Sequence, residues 1–249
     1  MRTVSGCKVK FVRSSDQSLL VYFDPRDKRH ATGQPLRGNH LIEANESVRR
    51  LLLALSKRPL EGVRNLHPSY CSLLIKFDGR KWRHEELEKR LRAHLDESKS
   101  IRLPERRLVE IPVCYGEEFG PDLKDVANMH GLTEQQVIGL HTGTNYLVYF
   151  LGFVPGFAYL GEVPEALVTP RHATPRRKVP AGSVGIAGNQ TGVYPCETPG
   201  GWRLLGRTPI ALFRPDRQDY SLLSIGDRVQ FRAISRKEFA ALSHARQSA

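Results

Sequence analysis

The sequence predicts two domains of different class: an α+β domain over residues 1–110, a small sheet with two helices, and then, over 111–249, an all-β barrel with two short helices at its start. Apolar residues recur at spacings of three and four over two long stretches before residue 100, and afterwards only over short ones. From Asn145 to Phe213, Gly and Pro divide the chain into short apolar runs, the pattern of a closed barrel. Charge divides the chain as well: residues 1–110 hold 24 Lys and Arg against 14 Asp and Glu, residues 111–249 hold 14 against 12.

In the first domain, alternation from Lys8 to Phe11 and the β-formers Leu19 to Phe23, separated by Ser14-Ser15-Asp16, predict a hairpin. A polar connection follows from Pro25 to Gly38. Leu41, Ile42, Val48, Leu51, Leu52 and Leu55 then define an amphipathic helix closed by Pro59. Val63 to Phe77 holds two extended segments, the second from Cys71, with a turn at Asp78-Gly79. Leu87, Leu91 and Leu95 form the stripe of a helix from about His84 to Asp96. The basic KSIRLPERR is a linker, and LVEIPVCY is the next strand, completing a small sheet covered on one face by two helices.

At the start of the second domain, Pro121 suits the first position of a short helix, with Asp122 complementing its dipole, Leu123, Val126 and Met129 facing inward and Gly131 ending it. Thr133, with Gln136 three residues on, predicts a capping box for a second helix that ends near His141 and Gly143. Strands are expected at Tyr146–Phe153, Ala166–Val168, Val184–Ala187, Gly192–Tyr194, Trp202–Gly206, Ala211–Phe213 and Val229–Ile234. A hairpin corner is expected over Leu223–Phe231 around Gly226-Asp227, and a last short helix near Lys237.

Composition narrows the class. A chain of 249 residues with 40% hydrophobic and 26% charged residues is that of a folded globular protein. Charged and polar residues occupy MRTVSGCKVKFVRSSD where a signal peptide needs an apolar core, and the run from Tyr146 to Phe157 is too short and too broken to span a bilayer, so a cytoplasmic protein without membrane association is expected. Cys7, Cys71, Cys114 and Cys196 form no CxxC pair, and the nine histidines show no HExxH spacing, so no metal site is predicted. The net charge of +12 is scattered, without a reader motif or interleaved aromatics, which disfavours nucleic acid and fits a solvated face or an acidic protein partner.

The residues suited to chemistry cluster between Asn145 and Phe213. Thr169-Pro170-Arg171 and Thr174-Pro175-Arg176 repeat one tripeptide in which proline stiffens the backbone beside an arginine whose fork suits a carboxylate or phosphate; covering the barrel surface is the competing role. Pro180 to Gly188 could bring amides close to an anion, but it lacks the Lys-Ser/Thr ending of a P-loop, and tight barrel corners explain its glycines equally well. Gln190 and Thr191 offer the neutral groups that recognise a small amide. His141, at a helix end, is the acid/base candidate, with capping of that helix as the structural alternative.

Taken in order, Tyr115-Gly, Gly120-Pro-Asp-Leu123, His141, LGFVPGFAYL (151–160), Pro170-Arg171, Pro175-Arg176, VPAGSVGIA (179–187), QTGVYP (190–195), PGGW (199–202) and GRTP (206–209) resemble the allophanate hydrolase subunit 1 or KipI-like family, whose best-defined bacterial members are the B subunits of ATP-dependent 5-oxoprolinase. The chain departs from the usual pattern at Cys196-Glu197-Thr198, where Ser commonly precedes the Pro, although Thr198 keeps a hydroxyl. The resemblance implies a cyclophilin-like barrel, KipA-like and LamB/YcsF-like subunits as partners, and a small-molecule substrate. The implied reaction is ring-opening of 5-oxoproline to glutamate using ATP with Mg, neither held tightly by this chain alone. In that setting His141, Arg171 and Arg176 are the catalytic candidates, and Tyr159, Gln190, Thr191, Tyr194 and Trp202 the substrate-binding ones. Two other roles occur among similar proteins: inhibition of a sensor histidine kinase, and a carboxyltransferase-type role on urea or allophanate.

Overall fold

A computed structural model describes residues 3–4, 7–24 and 37–247, and the chain separates into two compact units, Met1–Glu105 and Arg106–Ala249. The expected connection from Pro25 lies outside the described residues up to position 36.

The first unit is an antiparallel sheet of β1 (Thr3–Val4), β2 (Cys7–Ser15), β3 (Ser18–Asp24), β4 (Val63–Pro68) and β5 (Ser72–Phe77) in the order β1-β2-β3-β5-β4, with α1 (Gly38–Lys57) and α2 (His84–Ser98). Strand alternation buries Leu19, Val21 and Phe23 of β3 and Leu73, Ile75 and Phe77 of β5 on one face. The α1 stripe of Val48, Leu51 and Leu55 is buried with them, and α1 packs on β3, β5 and α2. The expected hairpin is β2–β3, turning at Asp16-Gln17 with Phe11 opposite Val21.

LVEIPVCY is a strand, β6 (Leu108–Tyr115), but it belongs to the second unit and not to the small sheet. Its Ile111 and Val113 are buried in the barrel core. There β6 joins α3 (Leu123–His130), α4 (Glu134–Thr142), β7 (Asn145–Leu151), β8 (Ala158–Gly161), β9 (Arg176–Val179), β10 (Ser183–Ala187), β11 (Gln190–Val193), β12 (Thr198–Gly200), β13 (Arg203–Arg207), β14 (Arg228–Ala233) and α5 (Arg236–Gln247). Seven of these strands close a barrel in the order β10-β11-β8-β7-β14-β6-β13, with β13 returning to β10. Every barrel pair is antiparallel except β6–β14. Tyr146, Val148, Leu160, Val184, Ile186 and Phe231 fill the interior together with Leu123 and Val126 of α3 and Val137 of α4.

Several local expectations give way to tertiary packing. Ala166–Val168 is not a strand: residues Glu165–Leu167 form a 3-10 turn that follows Pro164 and buries Leu167. Ala211–Phe213, beside Pro209 and Pro215, contributes only an isolated bridge from Phe213 to Ser221. No hairpin forms over Leu223–Phe231, because β14 pairs with β6 and β7 while the Gly226 amide bonds Val148. The strands β8, β9 and β12, three or four residues long, are too short to show a period. Met129 is 49% exposed, since α3 ends at Gly131 before its last turn reaches the core. The capping box of α4 forms as expected: the Thr133 amide donates to Gln136 Oε1 at 2.8 Å and the Gln136 amide to Thr133 Oγ1 at 3.2 Å. Among the described residues no helix is long and apolar enough to cross a membrane.

The segment before α3 is stitched to β13: the Gly116 amide donates to the Leu205 carbonyl and the Asp122 amide to the Leu204 carbonyl, each at 3.0 Å. Between them a Cβ on Gly120 would stand 1.9 Å from the Leu205 carbonyl oxygen. That atom is backbone and has no rotamer to escape into. Gly120→Ala is therefore expected to destabilise the barrel by about 3 kcal/mol or more, read as a lower urea midpoint.

Candidate functional site

Past β7, a tight turn returns the chain into β8, with the Gly152 amide bonded to the Phe157 carbonyl at 3.1 Å and the Phe157 amide to the Val154 carbonyl at 3.0 Å. This places Phe157 at the centre of an edge-to-face cluster with ring centroids 5.0 Å from Tyr159, 5.5 Å from Phe153, and 5.6 Å from both Tyr194 and Trp202. The rings floor a concavity of about 310 Å³ that Arg171, Pro175, and Pro199, Gly200 and Gly201 at the end of β12 complete. Gly200 is needed for this approach, because a Cβ there would lie 2.5 Å from the Tyr194 hydroxyl oxygen. Phe153 is 58% exposed and holds a φ of 71°, a conformation that a bulky residue adopts only when its surroundings impose it. Burial raises the Tyr194 pKa, opposed by a backbone hydrogen bond from Trp202 and by the charges of Arg171 and Arg176. The phenol keeps its proton at neutral pH and can donate.

The repeated tripeptides meet different fates. Arg171 is exposed at the concavity and has no ion-pair partner among the described residues. Arg176 instead turns inward and donates from Nη2 to Asp122 Oδ1 at 2.6 Å. The same carboxylate, 3% exposed, accepts the Leu204 amide on Oδ2 at 2.7 Å and lies 3.2 Å from His172 Nε2. Burial alone would raise the Asp122 pKa, but the hydrogen bonds from Arg176 and the Leu204 amide, with the His172 ring close by, outweigh it and hold the pKa below the usual value.

His141 does not reach the concavity. It is fully buried in the barrel, stacked 4.5 Å from Phe231, with Nδ1 2.7 Å from the Tyr115 hydroxyl and Nε2 2.9 Å from Thr191 Oγ1. Thr191 spends its own proton on the Gly185 carbonyl at 3.0 Å, so its oxygen accepts from Nε2–H, and Nδ1 accepts from Tyr115. This relay satisfies a neutral imidazole completely. Burial accordingly pushes the His141 pKa down to about 3.

Of the expected site residues, Tyr159, Arg171, Tyr194 and Trp202 come together at the concavity. Arg176 stands behind it, Thr191 joins the His141 relay, and Gln190, paired with Ala187 and Gly161 in the barrel, does not line it. Spacing and motif do not single out Phe153, Phe157, His172 or the second role of Asp122. The Gly120-Pro-Asp motif marks Asp122, but its position before a helix assigns it to the dipole. Among the described residues no cluster of three His, Cys, Asp or Glu is placed to hold a metal ion.

The barrel thus presents an aromatic concavity with Arg171 exposed at its rim and encloses His141 as a neutral ring away from it. The chain belongs to the family of the carboxyltransferase domain, subdomain C and D, whose pattern matches residues 9–223. It is 43% identical over 213 residues to the B subunit of 5-oxoprolinase from Bacillus subtilis (strain 168), covering 80% of this chain and 89% of that protein. To the B subunit of 5-oxoprolinase from Escherichia coli O157:H7 it is 56% identical over 142 residues, 57% of this chain and 65% of that one. The crystal structure of TTHA0988 superposes with a TM-score of 0.72 at 37% identity over 88% of this chain, which spans 40% of that protein.

A histidine held neutral in the fold but free to protonate when unfolded makes stability fall with acidity. Its contribution is complete above the ordinary value of 6.5 and is lost as the pH drops toward about 3. Between pH 7 and pH 5 the wild type should lose about 2 kcal/mol more unfolding free energy than His141→Gln in urea titrations. Parallel curves for the two proteins would show that His141 is not the responsible group.

Proposed function

We propose that this chain is one subunit of an ATP-dependent 5-oxoprolinase, a hydrolase that opens the cyclic amide of 5-oxoproline to glutamate. The observation that carries this reading is the similarity to named B subunits over most of the length of one of them. The barrel is of the cyclophilin-like type, and the chain acts in the cytoplasm with KipA-like and LamB/YcsF-like subunits.

The concavity suits the substrate's chemistry. A five-membered lactam presents apolar ring faces to Phe157, Tyr159 and Trp202, and its carboxylate is matched by the free Arg171 guanidinium. Tyr194 is the donor available to the amide oxygen. One arginine at a concavity of about 310 Å³, without a P-loop, does not make a cradle for a triphosphate. ATP, with Mg, is therefore used by the complex and bound elsewhere in it. This chain contributes the wall that selects and orients the lactam; the acid–base groups come from the partners.

Co-expression with the two partner subunits should give ATP-dependent glutamate formation from 5-oxoproline. A well-folded complex of all three proteins without product would overturn the assignment. In the active complex, Arg171→Ala should raise KM for 5-oxoproline at least tenfold, as loss of a charged hydrogen bond of about 1.5–3 kcal/mol requires, and leave KM for ATP unchanged.

A further inference from the structure

We infer that Asp122 is a positioning residue that fixes where Arg171 emerges over the concavity; the inference rests on the oxoprolinase reading of that site. Asp122 sits at the start of α3, far in sequence from the arginines, yet its two oxygens join three segments: Arg176 at the start of β9, His172 next to Arg171, and the Leu204 amide of β13. The intervening loop is tied at other points as well. The Thr169 amide bonds the Gly188 carbonyl at 3.2 Å, Arg203 Nε bonds the Pro170 carbonyl at 3.4 Å, and the His172 amide bonds the Gly201 carbonyl at 2.8 Å. Arg171 thus lies between a residue whose ring fixes its own backbone and one whose amide is bonded and whose ring lies 3.2 Å from Asp122 Oδ2.

A buried carboxylate is a costly way to stabilise a fold, since an apolar residue of similar volume often serves as well. What an apolar residue does not supply is direction. With Asp122 in place, Arg176 is drawn away from the concavity and neutralised, and Arg171 alone faces the ligand. Without that charge, Arg176 loses its partner and the His172 side chain is released, so the backbone carrying Arg171 gains freedom and a second guanidinium competes for the substrate carboxylate.

The test uses the complex reconstituted from all three proteins. Asp122→Asn keeps an acceptor for the Leu204 amide but loses the charge; it should raise KM for 5-oxoproline about tenfold with kcat and KM for ATP nearly unchanged. Because Asp122 acts through Arg171, adding Asp122→Asn to Arg171→Ala should produce little further change in KM, whereas a general weakening of the fold would add to it. His172→Ala, at a partly buried position, should shift the same constant in the same direction by a smaller factor and serves if Asp122→Asn does not fold. An unchanged KM in both Asp122→Asn and His172→Ala, a loss confined to kcat, or full additivity with Arg171→Ala would overturn the inference. Loss of substrate affinity in Arg171→Ala alone would leave the site reading standing, and an unaffected Arg171→Ala would remove both.

Discussion

The second unit depends on a six-residue parallel pairing between its first and last barrel strands, Leu108 to Val113 of β6 against Arg228 to Ala233 of β14. The strands are more than a hundred residues apart, and their pairing converts a run of hairpins into a closed surface without free edges. Closure places the α3–α4 pair within the same core as the strands, so the segment Gly116–Asp122 lies along β13. It also fixes the separations between the loops after β7, before β9 and before β13, which supply the concavity. A site assembled from loops keeps its geometry only if the strands beneath it cannot shift.

On that frame, charge and burial sort residues that look equivalent. Arg171 and Arg176 share a tripeptide, but only Arg176 has a buried carboxylate within reach, and the pairing removes it from the set of groups that can meet a ligand. Desolvation penalises both members of such a pair, and the Leu204 amide and His172 supply the further contacts that make the carboxylate tolerable. The unpaired arginine keeps its hydration and its affinity for an anion. Which of the two guanidiniums stays available at this surface is therefore decided by the buried carboxylate.

Burial likewise divides the aromatic and imidazole groups. His141 is enclosed with a donor on one side and an acceptor on the other, a setting that stabilises the neutral ring and withholds it from solvent and substrate alike. Tyr115, whose pKa burial also raises well above normal, completes a relay that begins and ends on groups inside the barrel. The His141 relay and the aromatic concavity are thus separate places in the barrel.

The sequence by itself determined the two classes of secondary structure, the stripes of α1 and α2, the capping box of α4 and most barrel strands, because each rests on short-range spacing or on turn residues that act locally. Tyr159, Arg171, Tyr194 and Trp202, which lie within one stretch of sequence, line a single concavity. Tertiary structure alone decided that LVEIPVCY belongs to the barrel, that Leu223–Phe231 forms no hairpin, that Met129 faces solvent, and that His141 and Thr191 are core. It alone decided, too, that Asp122 answers Arg176 rather than a helix dipole. Those outcomes depend on which strand closes against which and on how far each group lies from water. Neither quantity is written in the neighbours of a residue along the chain; both are set by partners tens of residues away.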